Sequence, residues 1–198
     1  MSRIDPLFLS LAKKYRTPRQ VQKFIQTLKY NSEEKAVTLR SAKSAILAKT
    51  AHCIEAAFVA AAILEVHQYP PLILDLESKD GLDHVVFVFQ EKGLWGAIGR
   101  SRDHGLEGRS PVYRTLRDLA WSYFDPYVDL TGRLKAYQCL HLDDTKSPWR
   151  TSPRNVWRAE NYLLSIDHIK LNSSPHRYSK LMNRLAAKTP MRRLKVWW

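Results

Sequence analysis

Among the 198 residues there are two cysteines, Cys53 and Cys139, and only one of them lies where a thiol could act as a nucleophile. Cys53 falls in the first turn of an Ala-rich helical pattern, where unpaired N–H groups and the positive end of the helix dipole favour a thiolate. His84 opens an apolar strand 31 residues later. A helix packed across a sheet brings such a pair together as nucleophile and general base. A third polar group then has to fix the imidazole tautomer. Asp103, just past the next strand, is the candidate, with Ser101 as the fallback. His52 and Glu55 are expected to tune or line this site, and Cys139 to be inert. No metal site or cofactor is expected: the histidines are scattered and neither cysteine has a Cys-x-x-Cys partner. Gly93, Gly96 and Gly99 recur every three residues but lack the strand-then-helix context of a phosphate loop.

The elements that must position these residues follow from caps and periodicity. Asp5-Pro6 and Thr17-Pro18 each pair an N-cap with a first-turn proline and predict two helices. Residues 39–47 read as a third helix. Thr50 is expected to cap a longer one from Ala51 to about His67, stopped by Tyr69-Pro70-Pro71. The pattern then changes to strands at 72–76, 84–89 and 94–98; the middle one is apolar on both faces, as a central strand must be. Ser110-Pro111 is expected to cap a helix carrying Val112, Leu116, Leu119, Ala120 and Tyr123, ended by Asp125-Pro126. Helices, then a small antiparallel sheet, then helices define an α+β protein.

Residues 38–124 resemble the transglutaminase-like family of cysteine enzymes, whose fold is papain-like. The likeness is carried by the blocks at 51–64, 69–76, 83–89 and 93–95: a Cys starting an Ala-rich helix, a strand after a Pro-containing turn, a His opening the next strand, then a Trp-containing strand. Ala51 and His52 stand where the family has Gly, and Gly99 and Arg100 stand where its catalytic Asp follows the Trp strand. The resemblance implies thioester chemistry on a peptide or protein amide with Cys53, His84 and Asp103, the Cys53 N–H facing the oxyanion. The outcome would be hydrolysis, deamidation or transamidation. Arylamine acetyltransferases share the Cys/His/Asp order as a more distant parallel.

Charge divides the chain. Lys and Arg number 32 against 19 Asp and Glu, a net of +13, yet residues 1–145 carry only +3 and residues 146–198 carry +10. The division read from this is a transglutaminase-like domain over 1–145 and a basic helical appendage over 146–198. Arg177, Lys180, Arg184 and Lys188 form a stripe on its last predicted helix, opposite Tyr178, Leu181, Met182 and Leu185. That stripe, with Trp149, Trp157, Trp197 and Trp198 for stacking, suits an anionic partner, nucleic acid or an acidic protein. A catalytically inactive binding module is therefore the alternative to an enzyme. The best apolar run, 56–64, is far short of the roughly 20 residues a membrane span needs. Two cysteines without a disulfide framework point to a reducing, cytoplasmic setting.

Overall fold

The computed structural model describes residues 4–33, 36–127 and 133–188. Helices α1 (Pro6–Lys14) and α2 (Pro18–Thr27) begin where their caps predict, with Asp5 accepting from the Leu7 N–H and Thr17 from that of Gln20. Two short strands, β1 (Lys29–Tyr30) and β2 (Thr50–Ala51), pair in parallel around α3 (Ala42–Ala48). Helix α3 starts at the Ser41 cap rather than at residue 39. Thr50 is in β2 and caps nothing; α4 (Cys53–Leu64) starts two residues later than expected, with His52 at its N-cap, and a 3-10 turn continues it to His67.

Helix α4 is hydrophobic all round, and every residue after Cys53 is buried. A helix of that kind belongs inside a protein rather than on its surface. It runs between α1, α2 and α3 on one side and a six-stranded antiparallel sheet on the other. The strands are β3 (Leu72–Ser78), β4 (His84–Glu91), β5 (Leu94–Ile98), β6 (Arg109–Tyr113), β7 (Leu134–His141) and β8 (Ile169–Lys170), in the order β6-β5-β4-β3-β7-β8.

Alternate residues of the central strands serve two cores. Ile73, Val85, Phe87 and Phe89 pack towards α4, while Leu74, Leu76, Val86 and Val88 pack towards the opposite face. On that face lie α5 (Leu116–Trp121), α6 (Phe124–Tyr127) and α8 (Pro175–Lys188). Being covered on both sides is why β4 lacks alternation.

Ser110-Pro111 caps no helix. Both residues lie in edge strand β6, where a missing N–H costs no ladder bond, and the helix waits for Thr115, which accepts from the Asp118 N–H. Asp125-Pro126 sits inside α6 rather than ending α5. Strands β7 and β8 complete a sheet of which the sequence shows only three strands.

The composition change after Thr145 is not a break in the packing. Trp149 is fully buried against Phe58 beneath α4, and α7 (Trp157–Ser165) adds Ala159 and Leu163 to the same core. Arg150 pairs with both Glu65 and Asp143, and β8 pairs with β7. Burial of one such large apolar side chain contributes about 1.5–3 kcal/mol, so residues 149–171 stabilise the layer that carries Cys53. Among the described residues no helix is long and apolar enough to cross a membrane.

Candidate active site

The N-terminus of α4, the first residue of β4 and the loop after β5 converge on one cleft of about 670 Å³. Cys53, half-buried, lies in its wall with His52 and His84. Burial alone would raise the thiol pKa. Hydrogen bonding and charge from His52 and His84 outweigh burial and hold the thiol at about 5. The two imidazoles are oriented alike. Nε2 of His52 lies 2.9 Å from the Thr38 carbonyl, and Nε2 of His84 lies 2.7 Å from the Leu106 carbonyl. A carbonyl only accepts, so each Nε2 carries the proton and each Nδ1 is the nitrogen left for the thiol.

Their surroundings differ. The His52 ring lies 3.7 Å from Oε1 of Glu55, a carboxylate with no exposed surface. Burial would lower the His52 pKa, but the Cys53 thiolate, Glu55 and the Thr38 carbonyl together raise it to about 9. Glu55 also accepts from the backbone N–H groups of Arg40 (2.7 Å) and His52 (3.1 Å) and from the Asn31 amide (3.3 Å). Among the described residues no carboxylate oxygen lies within 4 Å of a His84 ring nitrogen.

The Leu106 carbonyl is aimed by a firmly held loop. Arg109, stacked 3.9 Å over Tyr123, donates to the carbonyls of Gly105, Glu107 and Gly108, and the Tyr123 hydroxyl donates to Glu107. Gln22 of α2 clamps both the N–H and the carbonyl of Gly99. Glycine is required at two points of this approach. A Cβ on Gly99 would meet Val86 at 2.7 Å, and one on Gly108 would meet the Ala97 carbonyl at 2.6 Å.

Cys53 and His84 are thus brought together as the sequence predicts, and His52 joins them. Asp103 does not hold His84: its largely exposed carboxylate pairs with Arg102 at the cleft edge, and the tautomer-fixing place is taken by the Leu106 carbonyl. Ser101 does not fill that place either: its hydroxyl accepts from the Asp103 N–H, and the His84 Nε2 partner is the Leu106 carbonyl. A backbone carbonyl leaves no side-chain signature in a sequence. His52 did leave one, because a residue just before Cys53 with Glu three positions further on has the spacing of a capping box, and Glu55 accepts from the His52 N–H.

In the basic stripe, Arg177 is engaged within the chain, donating to Asp125 at 2.8 Å and lying over Trp121 and Phe124. Lys180 and Arg184 line a shallow open surface with His176 and Asn183. The side chains of Leu185 and Lys188, and Trp197 and Trp198, lie outside the described residues. Trp149 is a core residue, not a stacking platform. Among the described residues no group of three or more His, Cys, Asp or Glu side chains is arranged to hold a metal ion. No family model matches the chain, and no curated protein matches it in sequence.

Proposed function

We propose that the protein is a thiol-dependent acyl-transfer enzyme of transglutaminase-like type, acting on a peptide or protein amide. The observation that carries this reading is the half-buried Cys53 thiol at a helix N-terminus, facing a cleft between two imidazoles that each commit Nε2–H to a backbone carbonyl. At neutral pH the Cys53 sulfur is a thiolate and His52 an imidazolium beside it.

The thiolate attacks the amide carbonyl carbon. Among the described residues nothing in the chain accepts from the Cys53 backbone N–H, which is available to the developing oxyanion. As the C–N bond breaks, the leaving amine takes from Nδ1 of His84 the proton that this imidazole accepted from the Cys53 thiol, and a thioester remains. His84, now neutral, removes a proton from the incoming water or amine, whose attack releases the acyl group and restores the thiolate. His52 holds its proton to about pH 9 and is the poorer shuttle near neutrality; its part is fixed positive charge. The free thiols fit a cytoplasmic setting. The alternative, an inactive module binding an anionic partner through its basic stripe, has less support, because Arg177 is tied to Asp125.

Iodoacetamide labelling at pH 6, read by peptide mass spectrometry, tests the proposal. Rapid alkylation confined to Cys53, slowed in His84→Ala, is expected. A Cys53 as unreactive as Cys139 would overturn the enzyme reading.

A further inference from the structure

The cleft has a charge opposite to that of the chain. On a protein of net +13, its lining includes the carboxylates of Glu33, Asp75, Asp80, Asp83, Asp103 and Glu160 and one guanidinium, Arg102, which Asp103 already pairs. Two of the carboxylates have unused acceptor capacity. Asp75, on β3, is 4% exposed. Its Oδ2 lies 3.1 Å from Nε2 of His168, while its Oδ1 is buried with no hydrogen-bond partner. Leaving such an oxygen buried and unpaired is costly, and a donor from a bound ligand would relieve that cost. Glu160, on α7, makes no hydrogen bond or ion pair among the described residues. Burial raises its pKa, partly offset by the charge on His52. At the mouth of the same cleft stand Val37, Leu82, Trp157 and Leu164, four large apolar side chains left exposed.

We infer that the cleft beside Cys53 is a subsite for a basic side chain, an ammonium or guanidinium group flanked by apolar residues in the polypeptide substrate. Asp75 Oδ1 accepts a hydrogen bond from the cation at the base of the cleft, Glu160 faces it from α7, and the apolar rim covers the neighbouring residues. This inference rests on the acyl-transfer reading and names its substrate class. The six carboxylates make the cleft attractive to cations, whereas the charged His52 next to the sulfur would by itself favour an anion.

The test compares methanethiosulfonates of opposite charge on the full chain carrying Cys139→Ser. Rates of Cys53 modification by the trimethylammonium-ethyl, sulfonatoethyl and neutral methyl reagents are each divided by their rates with free cysteine. A preference of about tenfold for the cationic over the anionic reagent is expected at low ionic strength, shrinking in 0.5 M salt. It should fall about threefold in Glu160→Gln and be lost in Asp75→Asn/Glu160→Gln, each variant referred to its own neutral-reagent rate. In parallel, acetyl-Leu-Lys-Leu-amide should protect Cys53 from the neutral reagent where acetyl-Leu-Glu-Leu-amide does not. Brisk reaction with no preference, or an anionic one, would overturn the cation subsite and leave the thiol enzyme standing. No reaction with any reagent would overturn both.

Discussion

Cys53 and Cys139 occupy the same frame, and burial pushes both thiols towards the neutral form. At Cys139, in the middle of β7 and paired with Leu74 across the sheet, nothing opposes it, and the thiol rises to about 11. At Cys53 two imidazoles reverse the sign, and the thiol falls to about 5. At pH 7 one sulfur is almost wholly thiolate, while the other is thiolate in about one molecule in ten thousand. Burial therefore does not decide cysteine chemistry. The donors that share the burial decide it.

That contrast can be broken one interaction at a time. Cys53→Ser should abolish labelling at pH 6 and reduce acyl transfer by on the order of 10³-fold or more, whereas Cys139→Ser should leave both unchanged. His84→Ala should lower kcat/KM by about 10²–10³-fold with the fold retained, as checked by circular dichroism. Glu55→Gln should cost about 3 kcal/mol in urea unfolding, because the buried carboxylate balances His52 and Arg40 and accepts from the loop over residues 31–40. His52→Gln should leave the protein folded and slow pH 6 labelling about tenfold, since less positive charge holds the thiolate. Asp103→Asn should change kcat/KM by less than about twofold, as an exposed pair with Arg102 stabilises little.

The pH dependence has a definite sign. A lowered pKa means that thiolate accumulates as pH rises through about 5, so Cys53 labelling should climb between pH 4 and 6 and then level off. Cys139 should respond only in strongly alkaline solution, near its raised value of about 11. A labelling profile midpoint near 8.5 for Cys53, the ordinary thiol range, would erase the contrast.

Much of the fold was legible where one local signal dominated. Asp5-Pro6 and Thr17-Pro18 start helices as their caps require, and the doubly apolar run 84–89 is a covered strand. The same proline signal failed at Ser110-Pro111, because a Pro suits a sheet edge as well as a first helical turn. Strand β7 carries no clear period-2 signal, because Ala136 and Tyr137 are both buried and interrupt its alternation.

The candidate nucleophile was legible in the sequence itself: an Ala-rich apolar helix starting within two residues of Cys53 puts that thiol in its first turn, directly after His52. Which group holds His84, and what charge the cleft presents, only the tertiary structure decided. The Leu106 carbonyl is aimed by Arg109 of β6, Gln22 of α2 and Tyr123 from the turn between α5 and α6. The acidic cleft on a basic chain gathers carboxylates from β3, α7 and the loops between strands, which sequence distance separates and packing unites. Composition sums charge over the whole chain, whereas a substrate meets only the charges that the fold collects around the thiol.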